Sequence, residues 1–396
     1  MEKAWGMPPA EVVEEIRTAH LRGRGGSGFP AAVKWDLVLK NPATPKYVIG
    51  NGNEDEPGTF KDRYLLLHTP HQVIEGLLIA AHAVGAEEAI LYVNGRFADE
   101  LAVVEKAVTQ AREAGYWGDR VRTLRVARSP GVYIGGEETA LLEVLEGRSP
   151  VPREKPPFYP ATRGLFGRPT LVNNVETLAN VPHIVLHGAA WYTRIGPREN
   201  HGTRIFCLSG DVERPGLYEL PMGIPLRTLI EDHGGGVKGG QRLKAVFPGG
   251  PSFGLVRAED LDIPLDFDSL KGLGSGLGTA GMIVVGESTC LVETVLGFTR
   301  FFARGSCGQC PPCRLGTAQL AQILERIEAG RGQRQDLDLA VQLCRMIDHK
   351  GICHLVNAAT QPILSSLRHF RGEYEAHLEG RGCPFQEAKL ARELPT

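Results

Sequence analysis

The chain of 396 residues is short of three things. It has no apolar run near the roughly 18–20 residues of a membrane-spanning helix, so direct membrane insertion is not expected. It has no surplus of charge. The 44 basic and 46 acidic residues leave a formal −2, and nothing electrostatic argues for nucleic acid or a membrane surface. Its opening, "MEKAWGMPPAEVV", lacks the hydrophobic segment of a secretory signal, which makes the cytoplasm the expected compartment. Glycine (49) and proline (27) are abundant instead and imply much ordered loop. The length suits two or three domains.

Cysteine usage narrows the chemistry. Of eight cysteines, three stand together in "SCGQCPPCR", where a reducing compartment favours metal ligation over disulfides. Cys307, Cys310 and Cys313 form C-x-x-C-x-x-C, a spacing that lets three thiolates wrap one corner of a cubane cluster. Zinc is the rival, but neither a second C-x-x-C nor an H-x-x-x-H follows the motif. A fourth cluster ligand is expected from a later cysteine. Cys353, in "GICHLV" at a break after Gly351, is favoured over Cys344, which falls mid-helix in "DLAVQLCRMIDHK"; His354 is the remaining alternative. Cys207, Cys290 and Cys383 read as packing residues.

The first half alternates. "KYVIGNG", "EAILYVNG" and "VRTLRVA" read as strands, separated by the helices "HQVIEGLLIAAHAVG" and "FADELAVVEKAVTQAREAG", and "GGEETALLEVLEG" follows as another helix. That order predicts a mainly parallel α/β sheet with ligands at the carboxyl ends of its strands. Residues 148–170 read as a long surface loop, and "NNVETLANVPHIVLHG" as an Asn-capped helix. Residues 203–250 suggest a small α+β unit of the β-grasp kind, and the chain beyond Ser288 reads as helices around the cysteines.

Four stretches carry candidate site residues. "LRGRGGSGFP" matches G-x-G-x-x-G at Gly23, Gly25 and Gly28, but the helix "PPAEVVEEIRTAHL" precedes it where a dinucleotide fold would place a strand. What remains is a local phosphate site of exposed N–H groups beside Arg22 and Arg24. "NGNEDEPGTFKDR" puts Glu54, Asp55 and Glu56 after a strand, as a solvated turn or as acceptors for sugar hydroxyls that would disfavour an extra phosphate. "YIGGEETALL" sets Glu137 and Glu138 at a helix start, where the helix dipole alone would favour them. Tyr133 beside them can stack or pack. "NNVET" offers Asn173, Asn174 and Thr177, whose simplest role is capping.

Together these stretches resemble the NADH-binding flavoprotein subunit of respiratory complex I. That family is shared with the diaphorase subunits of NAD-reducing hydrogenases and NAD-dependent formate dehydrogenases. The likeness runs from "EVVEEIRTAHLRGRGGSGFP" to "LSSLRHF" with the motifs in family order. It implies an α/β protein with a Rossmann-like FMN/NADH domain (1–190), a β-grasp domain of SLBB type (191–280) and a helical [4Fe–4S] domain (281–396). Arg24, Gly25, Gly26 and Lys34 would contact FMN, and Phe29 and Lys34 would lie beside the nicotinamide nucleotide. Asn51, Glu54 and Glu56 match the acidic loop, with Glu56 on the NADH side. Tyr133, Gly136, Glu137 and Glu138 match the "YxxGEE" turn, and Asn173, Asn174 and Thr177 the flavin-binding "NNVET". Phe158 of "KPPF" would stack on adenine, and Cys307, Cys310, Cys313 and Cys353 would hold the cluster.

The implied activity is hydride transfer between NADH and FMN, then single-electron transfer through the cluster to a partner, with no side chain needed as acid or base. Implied partners are a [2Fe–2S] thioredoxin-like subunit and a further iron–sulfur subunit, holding the chain peripherally at the inner face of the plasma membrane. The same site run in reverse would reduce NAD⁺ with electrons from a formate dehydrogenase or hydrogenase partner. A scaffold without flavin is the reading that the intact "GRGGSGFP" and "GGEET" loops oppose. Three stretches depart from the family. Asn53 replaces an aspartate, "YVNGRF" (with Asn94, Gly95 and Arg96) replaces "YIRGEY", and Gly135 stands where cysteine is common.

Overall fold

The computed structural model describes residues 1–117, 121–380 and 382–385. It divides into two compact units. The first comprises 1–55, 59–206 and 219–224, and the second comprises 56–58, 207–218 and the chain from 225 onward.

The first unit is built on four parallel strands: β1 (Tyr47–Gly52), β2 (Glu88–Asn94), β3 (Thr123–Ser129) and β4 (Thr170–Asn174), in the order β3–β2–β1–β4. Helices Pro70–Val84 and Ala98–Glu113 supply the crossovers read from the sequence. Residues 47–50 of β1 and 89–94 of β2 are buried, which explains their near-continuous apolar runs. β4 is the element the sequence reading missed: it closes the Pro-rich 148–170 segment and pairs with β1 in register, Tyr47 opposite Thr170 and Asn51 opposite Asn174. Since β1 is central and β2 and β4 flank it, the strand order reverses between β1 and β4. A crevice opens at such a point, at the carboxyl ends of the strands.

Two helices set the depth of that crevice. Pro70–Val84 packs on Val175–His187 so closely that a Cβ on Gly76 would fall 2.0 Å from the Leu178 carbonyl oxygen. Only glycine permits that approach. The helix Pro9–Thr18 buries Val12, Val13 and Ile16 at helical spacing, each stabilising the unit by about 1.5–3 kcal/mol. It confirms that a helix precedes the glycine loop.

A second, mixed sheet has five strands: β5 (Thr203–Gly210) and β6 (Gly216–Pro221), whose residues 203–206 and 219–221 are counted with the first unit, and β7 (Leu243–Pro251), β8 (Val256–Arg257) and β9 (Gly281–Gly286) of the second, in the order β6–β5–β9–β7–β8. β9 runs parallel to β5 and antiparallel to β7. Four helices follow: Leu291–Gly305, Pro311–Glu328, Arg334–Ile347 and Leu355–Glu379.

Candidate functional site

The crevice brings the glycine loop and the ends of β1 and β4 together. Arg24 N–H donates to Thr177 Oγ1 at 2.8 Å, and a Cβ on Gly25 would lie 3.1 Å from Asn174 Cβ. Gly26 follows at φ 127°, a value that favours glycine. The Arg24 guanidinium turns inward instead: it is 1% exposed and donates to Tyr192 Oη and to the carbonyls of His201 and Thr203. The loop therefore offers backbone, not the arginine head. Asn173 Oδ1 accepts from Trp35 Nε1, and Asn51 Nδ2 donates to the Gly136 carbonyl at 2.9 Å, tying β1 to the "YIGG" turn.

Beneath the loop lies a buried charge cluster that no sequence motif announces. Lys61, 1% exposed, sits 2.6 Å from Asp62 Oδ1, 2.8 Å from Glu176 Oε2 and 3.2 Å from Asn174 Oδ1. Burial opposes its charge, but Asp62 and Glu176 outweigh that and hold Lys61 above the usual lysine range. Burial would likewise raise Glu176, yet Lys61, Arg204 and Arg24 keep it below the usual carboxylate range. Asp62 and Glu54 behave differently. Burial raises Asp62 despite its contact with Lys61. Burial first and Asp62 second push Glu54 up to about 7, against Lys61 and the N–H groups of Asp62 and Arg63. Three cations thus meet one firmly ionised carboxylate and two that are drawn toward the neutral form, a balance suited to a bound phosphate ester.

A second constellation faces the helix start. Glu137 caps Glu138–Leu145, accepting from Thr139 and Ala140 N–H, so its capping role is real. Glu138 meets Lys34 Nζ at 2.8 Å and Lys155 Nζ at 3.0 Å, and Lys155 also meets Glu137 at 2.8 Å. Burial would raise Glu138, but the two lysines bring it down to about 2. The Lys34 ammonium lies 5.9 Å from the Phe29 ring centroid, and Phe29 is 43% exposed. Phe158 lines a 440 Å³ cleft with Arg148, Arg153 and Arg163. Tyr133 is half-buried in the 3₁₀ turn Tyr133–Gly136. Lys155 is the residue that sequence reasoning passed over; the signal available was its place in "KPPF", three positions before Phe158.

Two of the family departures, at Asn53 and at 94–96, form one network. Asn53, 2% exposed, donates through Nδ2 to Asp55 Oδ2 at 2.8 Å and to the Val132 carbonyl, and accepts from Ser129 Oγ. Asp55 also accepts from Asn94 at 3.1 Å and pairs with Arg96. An aspartate at 53 could not donate to Asp55. Amide and arginine compensate each other here.

Glu56 falls in the second unit, where its carboxylate accepts the Ser252 N–H at 3.1 Å. The cysteine motif lies in the same unit. Cys310 precedes the helix Pro311–Glu328, and Cys313 sits in its first turn, donating to Ser306 Oγ at 3.1 Å. Burial pushes the Cys313 thiol up to about 11, with Cys310 and Cys307 adding to it against the Ser306 bond. Cys353 is half-buried, just before the helix Leu355–Glu379. Any metal or cluster bound here would need these thiols as thiolates, since the thiolate is the ligand form. Cys344 is fully buried inside the helix Arg334–Ile347, as a packing residue should be.

Comparison with known proteins agrees with this geometry. Residues 16–183 match the Nuo51 FMN-binding domain, 205–256 the SLBB domain and 293–377 the NADH-ubiquinone oxidoreductase-F iron–sulfur binding region. The second F-type NADH-quinone oxidoreductase subunit of Rhizobium meliloti (strain 1021) is 47% identical, covering 97% of this chain and 93% of its own. The F-type subunit of Streptomyces coelicolor is 44% identical over 98% and 88%. The structure of an air-oxidised NAD⁺-reducing [NiFe]-hydrogenase superposes with TM-score 0.86 at 40% identity, covering 93% of this chain but only 63% of that one. The chain belongs to the family of F-type NADH-quinone oxidoreductase subunits. It is an FMN-binding, [4Fe–4S]-carrying electron-transfer subunit that works with NADH. Among the described residues, no helix is long and apolar enough to cross a membrane.

Proposed function

We propose that the crevice at the β1/β4 reversal holds FMN and that the Lys34–Glu138–Lys155 constellation orients NADH over it. Backbone of Arg24, Gly25 and Gly26, with Asn51, Asn173, Asn174 and Thr177, would hold the flavin, its phosphate resting above the Lys61 cluster. Phe29, Phe158, Tyr133 and Glu137 would flank the nicotinamide nucleotide, with Glu54 accepting from sugar hydroxyls. FMN, when bound, supplies the exchange between hydride and single-electron chemistry. The protein's part is orientation and field. Cys307, Cys310, Cys313 and Cys353 would ligate the cluster that passes electrons out of the chain. The three matched segments support a division into flavin (1–190), SLBB (191–280) and cluster (281–396) domains.

The observation that carries this reading is the pairing of Lys34 and Lys155 on one half-buried, ionised Glu138. It joins the glycine loop's helix, the "GGEE" turn and the "KPPF" segment into one surface. The full complex would be of complex I type, with a [2Fe–2S] thioredoxin-like subunit and a further iron–sulfur subunit as partners, held at the inner face of the plasma membrane. The hydrogenase neighbours favour a second direction, NAD⁺ reduction at the same site. Anaerobic titration of the purified protein with NADH, reading flavin absorbance and the cluster's EPR signal together, tests the path. Flavin bleaching with a reduced-cluster signal is expected; a bound flavin that NADH leaves coloured would overturn it. Partners that co-purify separate the two directions.

A further inference from the structure

Three residues outside the cysteine motif converge in the second unit. Cys290 Sγ, His377 Nε2 and Cys383 Sγ are candidate ligand atoms in the one group of three or more, among the described residues, whose ligand atoms all lie within 4.8 Å of one another. Cys290 and His377 are buried and Cys383 is half-buried. We infer that these three residues bind a zinc ion, separate from the iron–sulfur cysteines.

The donor geometry is what a metal needs. Cys290 Sγ lies 3.4 Å from His377 Nε2. His377 Nδ1 lies 2.8 Å from the Glu373 carbonyl oxygen, which can only accept. Nδ1 therefore carries the ring proton, and the lone pair of Nε2 points at the sulfur. A histidine that ligates through one nitrogen is ordinarily fixed by a carbonyl on the other in this way. Cys290 is the N-cap of the helix Leu291–Gly305 and accepts the Glu293 N–H at 3.3 Å, which assists a thiolate. Without a cation that help is outweighed: burial pushes the Cys290 thiol up to about 12. Two thiolates and an imidazole select zinc over calcium or magnesium, which take oxygen ligands. Glu373 is not the fourth ligand: one oxygen accepts from Leu291 N–H and the other pairs with Lys244. Among the described residues no fourth His, Cys, Asp or Glu joins the group, which leaves the fourth position to water.

The placement suggests what the ion does. Cys290 lies at the start of the helix that ends just before Cys307, and His377 in the last turn of the helix that begins just after Cys353. The ion would pin the ends of these two helices that lie away from the cluster cysteines. Through Cys383 it would also fold the chain back beyond Gly380, where Phe385 sits 4.3 Å from the Lys244 ammonium.

The test uses the full chain, expressed without a histidine tag and with no metal added, analysed for zinc and iron by mass spectrometry. One zinc per chain is expected alongside the cluster iron, with X-ray absorption showing two sulfurs at about 2.3 Å and one nitrogen at about 2.0–2.1 Å. Cys383→Ala, beyond the last helix, should lose the zinc while keeping iron and flavin; Cys290→Ala and His377→Ala should do the same if they fold. Protein without zinc, zinc that survives Cys383→Ala, or a mass lower by two hydrogens that reductant restores (a Cys290–Cys383 disulfide) would each overturn the assignment.

Discussion

Glu54 and Glu138 have nearly the same starting point and opposite outcomes. Both follow the end of a parallel strand, and burial pushes both upward. Glu138 faces two lysines and ends at about 2; Glu54 faces Asp62 across one lysine shared with other acids and ends at about 7. Depth and neighbours act together: the Glu54 side chain is 1% exposed, with Arg63 at 3.2 Å as its direct ion pair, whereas Glu138 keeps 26% of its side chain exposed between two lysines.

The most disruptive way to break the contrast is Lys61→Met. It would strand Asp62 and Glu176 without their shared cation, costing about 3–5 kcal/mol in urea unfolding, with loss of bound flavin. The pH dependence of unfolding sharpens it next. Between pH 4.5 and about 7 the folded protein keeps a proton on Glu54 that the unfolded chain has released, so this group makes stability fall as pH rises through that window. Glu54→Gln should flatten that slope, an effect on the order of 3 kcal/mol across the window. Glu138 works the other way: its support is full above pH 4.5 and disappears as pH falls toward 2. Glu138→Gln should raise the KM for NADH roughly tenfold, equivalent to about 1.4 kcal/mol, with little change in flavin content. The smallest effect is expected from Asn53→Asp, which replaces a donor to Asp55 with a like charge. A loss of about 1 kcal/mol is expected, and pairing it with Asn94→Arg and Arg96→Glu, to restore the family's pattern, should recover part of it.

How much of this was legible beforehand depended on sequence distance. β1 and β2 were readable because each is a buried apolar run bounded by glycine or a turn, and β3, an edge strand with Leu124 buried, because it follows a helix in the same alternation. β4 was not, since "TLVNN" is five residues long and abuts a helix whose cap is its own last residue. The glycine loop, the "GGEE" turn and the cysteine motif could be read because their spacing is local. The Lys61–Glu176 pair joins the start of the helix Lys61–His68 to a helix more than a hundred residues later, and Cys290 lies 87 residues before His377. Neither leaves a local pattern. Arg24 shows the converse: its motif pointed to the site, while its side chain is held by partners that only the fold brings near.

Those partners also set a schedule for biogenesis. Tyr192, His201 and Thr203 come 168, 177 and 179 residues after Arg24. A nascent chain that has cleared the ribosome only through "NNVET" contains every flavin-side motif and the Thr177 tie to the glycine loop, yet lacks the partners of the Arg24 guanidinium. Full anchoring of the loop waits until the start of β5 has emerged, so ribosome-stalled chains ending before residue 190 should hold FMN more weakly than the full chain even with the four-stranded sheet complete.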